Sequence, residues 1–188
     1  GIKKNKKNII ATMEPSNIIN ITYYDNSKSN LKISKEVYSK VVFSNNRKQL
    51  DTYYYSMAII SLVDTLCEEG DSNFNLYNLI VNSLGYINKH VINKELIFLY
   101  FLINLNSTLG CKIILNSSND FDNKSVNLFH SFDNSFDEFQ INADEMLATK
   151  DFIKKIKRTI YLNMKINLID LNNIYSIKML EKIINGKF

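Results

Sequence analysis

Arginine, histidine, cysteine, glycine, proline and tryptophan are all scarce in this chain of 188 residues, and each shortage excludes some chemistry. Five glycines, scattered singly, leave no Gly-rich loop to cradle a phosphate. The two histidines, His90 and His130, are isolated and form no HExxH, HxxxH or HxH spacing, so no catalytic metal motif is written here. Cys67 and Cys111 stand 44 residues apart, with no CxxC pair from which to build a zinc knuckle. Both lie beside apolar helical sequence, and they read as reduced structural thiols rather than a disulfide. No apolar run approaches the roughly 18 to 20 residues of a membrane-spanning helix. The longest, Leu96 to Ile103, gives way to Asn104, Asn106 and Ser107. The chain opens on Gly1 rather than Met, with a basic stretch and no following apolar core, which suggests a fragment or processed chain and no secretory signal. The inventory argues against an enzyme.

What the chain has in quantity is Asn (27), Ile (26) and Lys (21), against two arginines. All three have adenine- and thymine-rich codons, so the asparagines reflect base bias rather than a prion-like tract. Hydrophobic residues make up 45%, enough for a substantial core. The net charge of +4 hides a strong pattern. Residues 1–48 carry ten basic and three acidic side chains, residues 49–149 four and thirteen, and residues 150–188 nine and three. Two basic ends around an acidic middle point to anionic partners at the ends.

Residues 9–24 are rich in β-branched and aromatic side chains, interrupted at Glu14-Pro15-Ser16-Asn17. They predict a short strand, a break at Pro15, then a strand from Ile18 to Tyr24. A turn over 25–30 leads to a further strand beginning at Leu31 to Ile33. So small a sheet leaves unpaired edges and lacks strands to complete it. From about residue 46 the period becomes helical. Leu50, Tyr53, Met57, Ile60, Val63 and Cys67 give the expected buried stripe of a first helix. Ser72 or Asn73 caps a second, running to about Lys89 through Leu76, Leu79, Ile80, Ser83 and Leu84. A third, about Asn93 to Leu109, is apolar nearly all round and therefore central; Gly110 ends it. Residues 116–142 form a polar, Phe-dotted insertion, read as a hairpin or ordered loop whose acidic groups are solvated rather than metal-bound. A two-faced helix follows from Lys150 to about Ile166, with Ile153, Ile156, Ile160 and Met164 as its apolar stripe, and a last one over about 171–184. The class is α+β: strands over 1–45, a helical bundle over 46–188.

The binding candidates are the basic ends. Lys3, Lys4, Lys6 and Lys7 precede the strand bearing Tyr23 and Tyr24, and Arg47 and Lys48 follow the strands. Lysine neutralises phosphate and tyrosine faces stack bases, the pairing that single-strand binding uses. The bland alternative, solubilising lysines and core tyrosines, carries equal weight on composition. Lys150, Lys154, Lys157 and Arg158 share a face beside Ile153 and Ile156, with no acidic residue four positions from Lys154 or Lys157. An ordinary solvated face is the competing reading there.

Taken in order, these motifs resemble the RecO family of recombination mediators. Gly1-Ile-Lys-Lys-Asn-Lys-Lys resembles the Gly-basic element of that family's N-terminal OB-fold, and Met13-Glu-Pro-Ser with Ile18-Ile-Asn-Ile-Thr-Tyr-Tyr24 and Asn30-Leu-Lys-Ile33 is similar to the strands that follow. Arg47-Lys-Gln-Leu, Tyr54-Tyr-Ser-Met-Ala, Leu62-Val-Asp64 and Glu68 to Tyr77 resemble its first long helices. Glu95-Leu with Phe101-Leu-Ile-Asn-Leu and Leu109-Gly-Cys111 resembles the next, and Ser176-Ile-Lys-Met-Leu180 the closing step. The resemblance implies a partial OB-fold barrel remnant, short of its first strands, ahead of the helical bundle. It also implies a non-enzymatic, cytoplasmic, nucleoid-associated bacterial protein. Such a protein binds single- and double-stranded DNA, anneals strands, and helps load recombinase onto DNA coated by single-stranded-DNA-binding protein. The expected partners are RecR and the acidic, Phe-ended C-terminal tail of that coating protein, with no membrane. The tail would lie on Lys150, Lys154, Lys157, Arg158 and Ile153, since a cationic rim beside an apolar pocket suits it. Relatives often carry a four-cysteine zinc element after the Leu-Gly helix. Here only Cys111 remains, so no zinc and no other cofactor is expected. The rival reading is a helical protein-protein interaction module, such as a viral host-factor decoy, with no nucleic-acid role.

Overall fold

A computed structural model describes residues 12–24, 33–68, 70, 72–89, 93–113, 150–166, 177, 178 and 182. Two antiparallel strands, β1 (Ile18–Tyr24) and β2 (Ile33–Val41), lead through a short 3-10 helix (Ser44–Arg47) into α1 (Leu50–Leu66), α2 (Phe74–Lys89), α3 (Lys94–Thr108) and α4 (Lys150–Ile166). The class is α+β. The strand expected ahead of Pro15 falls on residues outside this set up to residue 11, and Thr12 and Met13 are not in a strand. The insertion over 116–142 also lies outside it. Of the last predicted helix, Ile177, Lys178 and Lys182 are helical and Ile177 is buried.

The core is organised by α3. Leu96 to Ile103 are buried without a break, followed by Leu105 and Asn106, because neighbours cover the helix on all sides: α1, α2 and α4 each pack on it. Its start is fixed by Asn93, whose side chain accepts the Glu95 N–H. Its end is fixed by Gly110 at φ +78°, a conformation that suits glycine after a helix C-terminus. α2 starts where its sequence writes a cap, with the Leu76 N–H bonded to Asn73 Oδ1 at 2.9 Å.

The buried face of α1 is not the predicted stripe. Thr52, Tyr55, Ser56, Ala58, Ile59 and Leu62 are buried, whereas Leu50 is 60% exposed and Tyr53, Met57, Ile60, Val63 and Cys67 are half-buried. This helix is apolar over much of its circumference, so periodicity does not choose a side. Thr52, Ser56 and Ala58 are small and admit close approach of the neighbouring helices. α1 also begins at Leu50 rather than 46, since the 3-10 turn occupies Ser44–Arg47. Tyr55 meets Phe98 of α3 edge to face at 5.8 Å. Burial, with Glu95, Asp51 and Tyr161 nearby, pushes its phenol far above the ordinary range.

The sheet is rooted at one end only. Ile18 and Val41 pack on the core, Phe43 is buried, and the remaining positions of both strands are largely exposed. Asn45 binds Asn88 twice, through its backbone N–H (3.0 Å) and its side-chain amide (3.1 Å), and Asn46 donates to the Leu84 carbonyl at 3.1 Å. These bonds fix the turn against α2.

Candidate nucleic-acid interface

The two-stranded ribbon carries Tyr23, Tyr24 and Lys35 where β1 ends and β2 begins, and Lys40 at the opposite end. Its register pairs Ile19 with Ser39, Ile21 with Val37 and Tyr24 with Ile33, and slips at two places. Between Ile18 and Ile19, and again between Thr22 and Tyr23, β2 contributes one extra residue. Those residues are Lys40 and Lys35, the only lysines of β2. A bulge twists its strand and re-aims the extra side chain. Lys35 Nζ lies 5.9 Å from the centre of the Tyr24 ring. Lys40 crosses to the bundle, donating to Tyr77 Oη of α2 at 3.2 Å with Nζ 5.5 Å from the ring centre. Tyr38 Oη accepts from Asn20 Nδ2 across the strands at 2.9 Å.

Tyr23 and Tyr24 are both exposed, at 53% and 58%. As successive residues of one strand they face opposite ways, so they do not form one stacking platform. The structure instead groups Tyr24 with Lys35. Lys48 is exposed just past the 3-10 turn. Arg47 has structural partners: Nη2 pairs with Glu14 Oε2 at 2.9 Å, and Nη1 donates to the Pro15 carbonyl (3.3 Å) and Asn17 Oδ1 (3.1 Å). It ties the Pro15 turn, with Ser16 at φ +66°, to the bundle. Lys3, Lys4, Lys6 and Lys7 lie outside the described residues.

The second basic surface is α4. Ile156, Ile160 and Met164 are buried as the stripe predicts, and Ile153 is half-buried against the same core. Ile156 is therefore closed off from any peptide. At 3.6 residues per turn, Lys154, Lys157, Arg158, Tyr161 and Lys165 fall within about 100° of arc. Lys154, Arg158 and Lys165 are exposed, while Lys157 is half-buried with Nζ 5.6 Å from the Tyr161 ring centre. Leu162 borders this face and is 52% exposed. Lys150 opens the helix, and its side chain lies outside the described set.

Sequence reasoning missed Lys35, Tyr38, Lys40 and Leu162. The run Val37, Tyr38, Val41 and Val42 carries a strand signal. No local pattern shows that both lysines are bulge residues, because that depends on pairing with β1.

Cys67 and Cys111 are half-buried thiols with no disulfide between them. Cys111 Sγ is 3.7 Å from the Leu109 carbonyl, and no group of three or more His, Cys, Asp or Glu gathers among the described residues. Among the described residues no helix is long and apolar enough to cross a membrane.

The family described as Recombination protein O C terminal matches residues 47–149, more than half of the chain. A DNA repair protein RecO from Alkaliphilus metalliredigens is 24% identical over 186 residues, spanning 89% of this chain and 75% of that protein. The DNA repair protein RecO of Leptospira biflexa serovar Patoc is 25% identical over 97 residues, 52% of this chain and 39% of its own length. No solved structure matches.

Proposed function

The chain belongs to the RecO C-terminal family, and so to DNA repair and recombination, and from that premise we propose that it works as a DNA-binding recombination mediator. In this reading it anneals complementary strands and helps recombinase load onto DNA coated by single-stranded-DNA-binding protein. It does so without catalytic chemistry, zinc or another cofactor, in the bacterial cytoplasm. The ribbon and the basic N-terminal residues meet phosphates and bases. Lys35 and Tyr24 form the cation-aromatic unit, and both single- and double-stranded DNA are partners. RecR is a further partner on the strength of the family alone.

The observation that carries the reading is the exposed face of α4. Lys154, Arg158 and Lys165 stand beside an exposed leucine on a helix whose other face is buried. An acidic tail ending in an aromatic requires cations for its carboxylates and an apolar contact for its ring. Leu162 supplies that contact in place of Ile156.

Two titrations test the proposal. Binding of a fluorescent single-stranded oligonucleotide should weaken log-linearly with salt, and Lys35→Glu with Tyr24→Ala should weaken it further at fixed salt. The acidic tail peptide should lose at least about tenfold in affinity for a Lys154→Glu, Lys157→Glu, Arg158→Glu variant, equivalent to about 1.4 kcal/mol. Unchanged tail affinity would remove α4 from the reading, and absence of salt-sensitive DNA binding would remove the ribbon.

A further inference from the structure

A cleft of about 680 Å³ lies between the end of α1 and the start of α2, far in character from both basic surfaces. Its apolar lining is Val63, Leu76, Tyr77 and Ile80, and its acidic side is Asp64, in the last turn of α1, and Glu68, two residues past its end, both exposed. Phe74, the residue after the lining Asn73, is 74% exposed. The negative end of α1 and the positive end of α2 meet here, so their helix dipoles offset one another. The two carboxylates therefore decide the sign. The last turn of α1 has no basic residue to oppose them. Lys40 is held on the lining residue Tyr77, and against that single charge Asp64 and Glu68 leave the lining net acidic.

We propose that this cleft docks a cationic, amphipathic segment of a partner protein, its Lys or Arg side chains on Asp64 and Glu68 and its apolar side chains on Val63, Leu76, Ile80 and Phe74. Charge complementarity selects this occupant: an acidic peptide is repelled here, and a purely polar basic one leaves Phe74 and the apolar lining in water. The chemistry is opposite to that of the α4 face, so the two sites cannot exchange ligands. The proposal does not rest on the mediator reading.

The probe is a fluorescein-labelled 15-residue peptide with Leu and Lys at helical spacing, compared with its Glu-for-Lys counterpart, on the full chain by anisotropy. The Lys peptide should bind, losing at least tenfold in affinity for Asp64→Lys with Glu68→Lys and severalfold for Phe74→Ser. These substitutions are at exposed positions, and thermal melting checks that each variant stays folded. Binding of the Glu peptide that the Asp64→Lys, Glu68→Lys variant weakens, or full affinity of the Lys peptide in that variant, overturns the proposal. So does a concentration-dependent dimer that this variant dissolves, because the occupant is then a second copy of the chain.

Discussion

Two glycines with opposite roles make the residue scale concrete. Gly85 sits inside α2 with no positive φ, and a Cβ there would meet only Phe43 ring atoms, at 3.7 and 4.0 Å, which is ordinary contact. Gly85→Ala should therefore stabilise the chain by about 0.5–1 kcal/mol, through the helix preference of alanine, as read by denaturant unfolding. Gly110→Ala should cost about 1 kcal/mol in the same assay, since φ +78° strains any side chain. Asp51 adds a pH dependence. Burial pushes its carboxyl up. The hydrogen bond from Lys94 Nζ at 2.6 Å, the Thr52 N–H at 2.7 Å and the Lys94 charge outweigh that and hold it below its ordinary 3.8. A lowered folded value means that the stabilisation is complete above the unfolded value and is lost as pH falls through the folded one. The Asp51 side chain is 44% exposed, so screening keeps the effect below about 1 kcal/mol. Asp51→Asn should thus lower stability at neutral pH, with the difference from the parent closing as unfolding is repeated at about pH 2.

At the scale of elements, α1 separates pattern from packing. Leu50 belongs to the stripe that periodicity predicts, yet it is exposed, whereas Ile59 lies off that stripe and is fully buried. Leu50→Ala should change stability by less than about 0.5 kcal/mol, and Ile59→Ala should cost about 2–5 kcal/mol, compared by thermal or denaturant unfolding. The extents of β1, α3 and α4 were legible in sequence because each has a marker of its own: Pro15 ahead of β1, Asn93 and Gly110 around α3, and a clean apolar-basic division in α4. For α1 the choice among several apolar faces needs the neighbours. β2 was legible only at its start, because its Lys and Glu residues interrupt the alternation.

The molecule as a whole is an acidic-middled bundle with a ribbon held at its root, and Arg47 is the clasp between them. Arg47→Ala removes the Glu14 pair and both hydrogen bonds to the Pro15 turn. Amide exchange in β1 and β2 should rise while exchange in α3 stays at its parent rate. Equal acceleration in α3 would show that ribbon and bundle unfold as one unit. The sequence by itself determined the class, the order of strands before helices, the central place of α3 and the division of charge into basic ends and an acidic middle. These follow from composition, period and capping, which act between residues near one another in the chain. Tertiary structure alone decided the buried face of α1, the bulge positions of Lys35 and Lys40, the closure of Ile156 into the core and the cleft between α1 and α2. Each depends on which distant surfaces come into contact, and a local apolar period contains no information about that.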